Sequence, residues 1–332
     1  MSLVLLVGSC ATPRVQELRR FEFSRPEMGL PFRIVLYAPD QAMAEAAALA
    51  AFSRVRELND IFTDYDSDSE LSRLSQSSGR GESFAVSMDL WKVLSRALAL
   101  AERTDGAFDV TVGPYVNLWR KARRDRALPS AEWLGRARAC VGYKNMRLDA
   151  RRRAVELLVP GMRLDLGGIA KGYAIDAALQ VLCERGIRSA LVSGGGDLAV
   201  SDAPPGRKSW RIEIAPPEVE NPPPARFVFL TFRAMATSGD VFQRLEIDGR
   251  RYSHIVDPRT GIGLADQSLV TVIGRDCTTA DSLATAASVL GPVKGLRLLE
   301  ATRGVSGQMV RKQGERLEAI ETKDFERYLE EN

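Results

Sequence analysis

Three groups of residues in the chain have the types and spacing for chemistry. Lys171 lies just after the pair Gly167-Gly168, at the start of a helical pattern in which Ile169, Tyr173, Ile175, Ala178, Leu179 and Leu182 recur at three- and four-residue spacing. Gly186 marks the end of that pattern. A cation in the first helical turn is disfavoured by the macrodipole, whereas an anion is favoured by the free N–H groups there. Helix start and lysine together therefore suit a phosphate; the competing reading is a solvated lysine after an ordinary turn. His254 is the sole histidine, so any imidazole acting near neutral pH is this one. It ends an apolar run before a polar turn, a place that also suits a structural histidine. Asp281 and Thr285, at i and i+4 on a helix, present two oxygens to one side. With a backbone carbonyl they suit a hard cation such as Mg2+. A first-turn Asp complementing the helix dipole, beside a packed Thr, is the alternative.

The elements that must position these residues follow from periodicity and punctuation. The apolar run with Asp165, ahead of the two glycines, reads as a strand. Phe32–Tyr37 reads as another, entered through Met28-Gly29-Leu30-Pro31 after a polar lead over 11–20. Asp40 can cap an alanine-rich helix to about Leu58, and Ser69 can cap a short one after an Asp/Ser-rich loop. A third helix covers Met88 to Thr104, ended by Asp105-Gly106. Ala107 to Trp119 reads as a loop forming a pocket wall. Strands are expected at Ala190–Val192, Trp210–Ile214, Phe227–Phe232, Tyr252–Val256 and Leu269–Ile273, with a tight turn at Ser193–Asp197. The excursion Pro216 to Pro224 cannot be a central strand. A last helix, Thr278 to Leu290, stops at Gly291-Pro292. Late strands and hairpins with few helices argue for an α+β fold.

Composition narrows the partners. With 45% hydrophobic and 27% charged residues the chain reads as soluble and globular. A net charge of +3 is too small to argue for nucleic acid. The basic run Arg120 to Arg126 lacks interleaved aromatics and reads as a solvated face. No stretch has the roughly 18 apolar residues of a membrane span. Near the start, Val7-Gly8-Ser9-Cys10 resembles a bacterial lipobox, although no basic residue precedes the short apolar run. Cys140, Cys183 and Cys277 have no metal-ligand spacing, and Cys183 lies on the apolar pattern of its helix, as a core residue would.

In order, the chain contains Asp-Leu-Gly-Gly-Ile-Ala-Lys-Gly-Tyr, Ser-Gly-Gly-Gly-Asp, Ala-Thr-Ser-Gly-Asp, His-Ile-Val-Asp-Pro-Arg-Thr-Gly and Thr-Ala-Asp-Ser-Leu-Ala-Thr-Ala. With the upstream Met28-Gly29, the segment Tyr65 to Leu74 and Phe108 to Pro114, this resembles the ApbE family of FAD:protein FMN transferases over about residues 22 to 310. The stretch after Trp119, basic where that family is glycine-rich, and the Pro216 to Pro224 loop depart from its pattern.

The resemblance implies an α+β, T-fold-related architecture of antiparallel sheets and packed helices, with the FAD cleft between two parts of the chain. Residues 1–20 would be a signal or lipobox remnant and polar lead, and 21–332 one domain of two lobes, roughly 21–160 and 161–332. The implied reaction is Mg2+-dependent transfer of FMN from FAD to a threonine hydroxyl of a partner flavoprotein, through a phosphoester, with release of AMP. An FAD pyrophosphatase and a non-catalytic FAD-binding protein are the alternatives. Carried over by position, Met28, Tyr65, Ala107, Phe108, Asp109, Asp165, Lys171, His254 and Ile255 would contact FAD. Gly168, Asp281 and Thr285 would hold the metal, with Ala284 as a further backbone ligand. His254 would be the base, and Lys171 would help neutralise the pyrophosphate. The expected partner is an FMN-bearing subunit of a membrane redox pump. The expected location is the bacterial cell envelope, on the periplasmic side, as a lipoprotein anchored at Cys10 rather than a cytoplasmic protein.

Overall fold

An eight-stranded antiparallel sheet, whose central strands alternate their side chains between two covered faces, organises the molecule. The computed structural model describes residues 17–214, 224–239, 244–247, 249–265, 268–313 and 316–331. The lipobox-like segment with Cys10 and the proline-rich excursion up to residue 223 lie outside the described residues. Strand β1 (Arg19–Glu27) is at one edge and pairs with β2 (Leu30–Ala38). Then come Ala190–Gly194, Asp197–Val200, Arg233–Gly239, Ser268–Gly274, Ser306–Gln313 and Arg316–Glu321. Strands from both ends of the chain thus share one sheet.

The period-2 pattern explains both layers. Ile34, Leu36, Val192, Ala199, Ala236, Val270 and Val272 face the large core beneath the helices. The intervening Val35, Leu191, Leu198, Val200, Met235 and Ile273 face a second cluster. There the hairpin Trp210–Glu213 and Phe227–Leu230 lies with Phe325 and Tyr328. Helices α1 (Gln41–Phe62), α6 (Ala170–Glu184) and α7 (Cys277–Glu300) cover the first face. Around them sit α2 (Glu70–Gln76), α3 (Met88–Arg103), α4 (Gly113–Asp125) and α5 (Ala131–Arg138). The caps at Asp40 and Ser69 are in place, accepting from Met43 N at 2.8 Å and Ser72 N at 3.0 Å. This is the mixed helix and antiparallel-sheet fold expected. No described helix is long and apolar enough to cross a membrane.

Several local expectations are corrected. The polar lead ends at Arg19, where β1 begins; its charged, largely exposed pattern suits a sheet edge. The run before Gly167 is not a strand, since only Arg163 makes an isolated bridge, to Val112. Ala107 to Trp119 is a loop only as far as Val112. There α4 begins, with Pro114 in its first turn, where a missing N–H costs nothing. Tyr252–Val256 is two pieces, Arg250–Ser253 and Val256–Asp257, with His254 and Ile255 at the break. α1 runs on to Phe62. Gly291, at φ 72°, breaks α7 as expected, but the helix resumes at once from Pro292. Cys183 is exposed, pointing away from the core beneath α6.

Candidate active site

The site is assembled from its floor, where α6 meets α7. Gly172 makes the approach possible: a Cβ there would lie 2.4 Å from the carbonyl oxygen of Cys277. Asp176, one turn further along α6, accepts from Cys277 N at 2.7 Å and Thr278 N at 2.8 Å, so one helix caps the other. The Gly172 N–H donates to Asp281 Oδ2 at 3.0 Å. Lys171 pairs with Asp197, at the start of the neighbouring strand, whose other oxygen accepts from Thr237 N at 3.1 Å. Burial works against the Lys171 ammonium, but the Asp281 and Asp197 carboxylates outweigh it and raise its pKa. Burial, followed by the charge of Asp281, pushes Asp197 up to about 7 against the pull of Lys171. Burial also raises Asp281, which Lys171 and the Gly172 N–H oppose. Two buried carboxylates thus share one ammonium, and a cation would complement the remaining negative charge.

Above this floor Gly168 abuts Thr285: a Cβ on the glycine would sit 3.1 Å from the Thr285 hydroxyl oxygen and 3.3 Å from the Phe108 ring. Thr285 and Ser238 exchange a hydroxyl hydrogen bond at 3.3 Å. Asp109 is buried, and its carboxylate is taken up by Thr111 N and Tyr143 N, both at 2.8 Å. It holds the 107–112 loop in shape, and burial raises its pKa. Asp165 accepts from Gly167 N at 2.9 Å, which tightens the glycine turn. Burial raises its pKa too, with Asp64 adding to the rise.

At the rim stand side chains with more freedom. Tyr65 is 81% exposed. The Arg120 guanidinium lies over its ring, 4.2 Å from the centroid, and bonds Asp64 at 3.0 Å. Met28 reaches the cleft from the β1–β2 turn, where it and Gly29 take φ of 51° and 73°. Positive φ at both turn positions matches the twist of the hairpin. His254 is exposed beside the buried Ile255, which packs with Ala107 and Val289. Trp119 of α4 donates to Gly261 O at 2.8 Å and stacks near Tyr252, tying the histidine segment to the opposite wall.

These pieces enclose a cleft of about 550 Å3. Of the residues singled out in the sequence, Met28, Tyr65, Ala107, Phe108, Asp109, Asp165, Gly168, Lys171, His254, Ile255 and Thr285 line it. Asp281 and Ala284 lie behind it. The Ala284 carbonyl already accepts the Ser288 hydroxyl at 2.9 Å. Among the described residues no three His, Cys, Asp or Glu side chains gather as a metal cluster. A cation here would rely on hydroxyl and carbonyl oxygens beside the single carboxylate of Asp281, a donor set that suits Mg2+ and not a thiophilic metal. Sequence reasoning missed Asp197, Asp176 and the Arg120–Asp64 pair. An acid between the apolar positions Ile175 and Ala177–Ala178 of α6 was the available signal for Asp176; Arg120 was hidden in a run read as solvated.

A concave cleft with apolar and aromatic walls over a buried lysine–carboxylate floor is the kind of site at which enzymes bind small ligands. The chain belongs to the ApbE family, whose sequence pattern matches residues 28–308. It is 36% identical over 307 residues to the FAD:protein FMN transferase of Vibrio cholerae, covering 91% of this chain and 89% of that protein. It is 33% identical over 252 residues to the protein of the same name from Haemophilus influenzae, covering 74% and 73%. The solved flavin transferase ApbE of Vibrio cholerae superposes with a TM-score of 0.85 at 33% identity, over 94% of this chain and all of that one. The apo flavinyl transferase ApbE of Pseudomonas stutzeri gives 0.82 at 31%, over 94% and 97%.

Proposed function

We propose that the chain transfers FMN from FAD to a threonine hydroxyl of a partner flavoprotein. The threonine oxygen forms the new bond to the FMN-side phosphorus, the pyrophosphate P–O bond breaks, and AMP leaves. The observation that carries this reading is the placement of Lys171 on the floor and His254 on the rim of one cleft, in a chain whose relatives bear the transferase name. His254, exposed at the mouth, can meet a hydroxyl delivered on another protein and take its proton. Lys171, held cationic by Asp197 and Asp281, stands where the pyrophosphate charge develops. Thr285, Asp281 and Gly168 are the residues that would hold Mg2+, which when bound supplies further neutralisation of the phosphates.

The test is incubation of the purified protein with FAD and Mg2+, with and without a threonine-bearing flavoprotein subunit of a membrane redox pump. Flavin covalently attached to the acceptor, with one AMP released per flavin, is the expected result. AMP and FMN formed equally fast without acceptor would make the enzyme a pyrophosphatase, and intact bound FAD would make it a carrier. The same reading places the protein at the cell envelope through a lipid on Cys10. Mass spectrometry of the protein from its own host tests this, and an unmodified N-terminal segment would refute it.

A further inference from the structure

Arg120 opens the basic run whose spacing suggested a solvated face, yet its guanidinium turns away from that face and into the cleft. It is half-buried and touches two other parts of the chain, Asp64–Tyr65 and Asp165, besides its own helix. Its Nη2 bonds Asp64 Oδ1 at 3.0 Å, while Nη1 reaches the other Asp64 oxygen, so the pairing is bidentate. The same Nη2 lies 3.4 Å from Asp165 Oδ2, on the glycine turn that leads into Lys171. Its planar face covers the ring of Tyr65 at 4.2 Å. Asn117, one turn earlier on α4, steadies Nη1 at 3.4 Å.

Each contact has a consequence for the cleft. Tyr65, at 81% exposure, has too little packing of its own to hold one orientation, and the guanidinium supplies it. Asp64 and Asp165 are like charges that would repel across the wall without the cation between them. Asp165 lines the cleft, and its Oδ2, which Arg120 approaches only to 3.4 Å, keeps a lone pair able to accept from a ring N–H.

We propose that Arg120 is a specificity-determining positioning residue. It fixes Tyr65 and Asp165 as one recognition wall for a planar heteroaromatic ring that carries an N–H donor, stacked on the tyrosine and hydrogen-bonded to the carboxylate. Adenine and isoalloxazine share that chemistry, and both occur in FAD. The inference rests on the proposed use of FAD and adds to it a residue outside the floor and metal machinery. A lysine cannot replace this arginine, because an ammonium has neither the fork for Asp64 nor the plane for Tyr65.

Fluorescence titration of FAD, FMN and ADP against wild-type, Arg120→Gln and Arg120→Lys proteins tests the proposal, with a thermal melt of each preparation. Both variants should bind FAD about tenfold more weakly, the size expected for losing a stacked, charge-assisted contact. The loss should fall on one half of the dinucleotide: on FMN if the wall takes isoalloxazine, on ADP if it takes adenine. Because Arg120 also ties segments together, the exposed Tyr65 gives a second route. Tyr65→Leu should weaken the same half-ligand, and the Arg120→Gln/Tyr65→Leu double variant should lose less than the product of the two separate losses. Equal affinities of wild-type and variant proteins for all three ligands, or losses that simply multiply, would overturn the assignment. A wild-type protein that binds no FAD would overturn the transferase reading together with it, which separates the two failures.

Discussion

At the floor of the cleft, Lys171, Asp197 and Asp281 are fixed by backbone N–H groups and by the crossing of two helices, and both acids are almost fully buried. At the rim, Tyr65 on a loop and Arg120 on α4 orient each other by side-chain contact, and His254 stands exposed at the break between two short strands. The floor therefore has one geometry and a strong field, as charge stabilisation in a dry site requires. The rim, being exposed, can tolerate the arrival of a second protein, as the proposed transfer to an acceptor hydroxyl requires. Stability and catalysis should accordingly separate: lesions of the floor damage both, and lesions of the rim damage binding or transfer alone.

The largest break is expected from Asp281→Ala. FAD cleavage at saturating Mg2+ should fall by about 10³-fold, measured as AMP release, because the floor then loses one of its two carboxylates and the proposed metal site its only one. Full activity at ordinary Mg2+ would remove Asp281 from the metal site. Gly172→Ala should cost about 3 kcal/mol of stability in urea unfolding, since the new methyl meets the Cys277 backbone rather than a movable side chain. His254→Ala sharpens the contrast from the other side. Transfer in a single turnover should drop by about 10²-fold while FAD affinity holds and stability changes by less than about 1 kcal/mol. Wild-type transfer by that variant would exclude the imidazole from the chemistry.

The smallest effect concerns pH. Burial pushes Asp176 from its ordinary 3.8 up to about 6, against the hydrogen bonds from Thr278 and Cys277. A raised folded-state pKa means the folded protein holds the proton more tightly than the unfolded chain. The associated stability is complete below pH 4 and is lost as pH climbs through about 6. Melting temperature should decline by a few degrees over that interval from this group. Asp176→Asn should lower the whole curve, because an amide N–H would face donors, yet flatten its slope; an unchanged slope would show that other groups set it.

How far the sequence revealed this contrast depends on the kind of signal. Long motifs announced Lys171, His254 and the Asp281–Thr285 pair, and helix periodicity with its caps located α1, α2 and α3 closely. Contacts between distant segments left no local trace: nothing near Asp197 shows that it faces Lys171, and nothing near Asp176 shows that it caps α7. Arg120 was misread because charge runs are judged by their neighbours in sequence, whereas its partners are Asp64 and Asp165. α4 was missed because Gly113-Pro114 punctuates a turn as readily as a helix start. Cys183 was misjudged because it borders the apolar stripe of α6, where a shift of one position moves a side chain by 100°.

The break in α7 has a practical use. At Gly291 no atom lies within 4 Å of where a Cβ would stand, and Val293 beyond it is 63% exposed. Val289, one turn before, lines the cleft. A thiol-reactive dye on Val293→Cys, with Cys10, Cys140 and Cys183 first changed to Ser, would hang from the surface without pressing on Asp281 or Thr285. Its emission would still respond to whether the cleft is filled, giving an optical record of ligand arrival and departure in the enzyme without altering FAD itself.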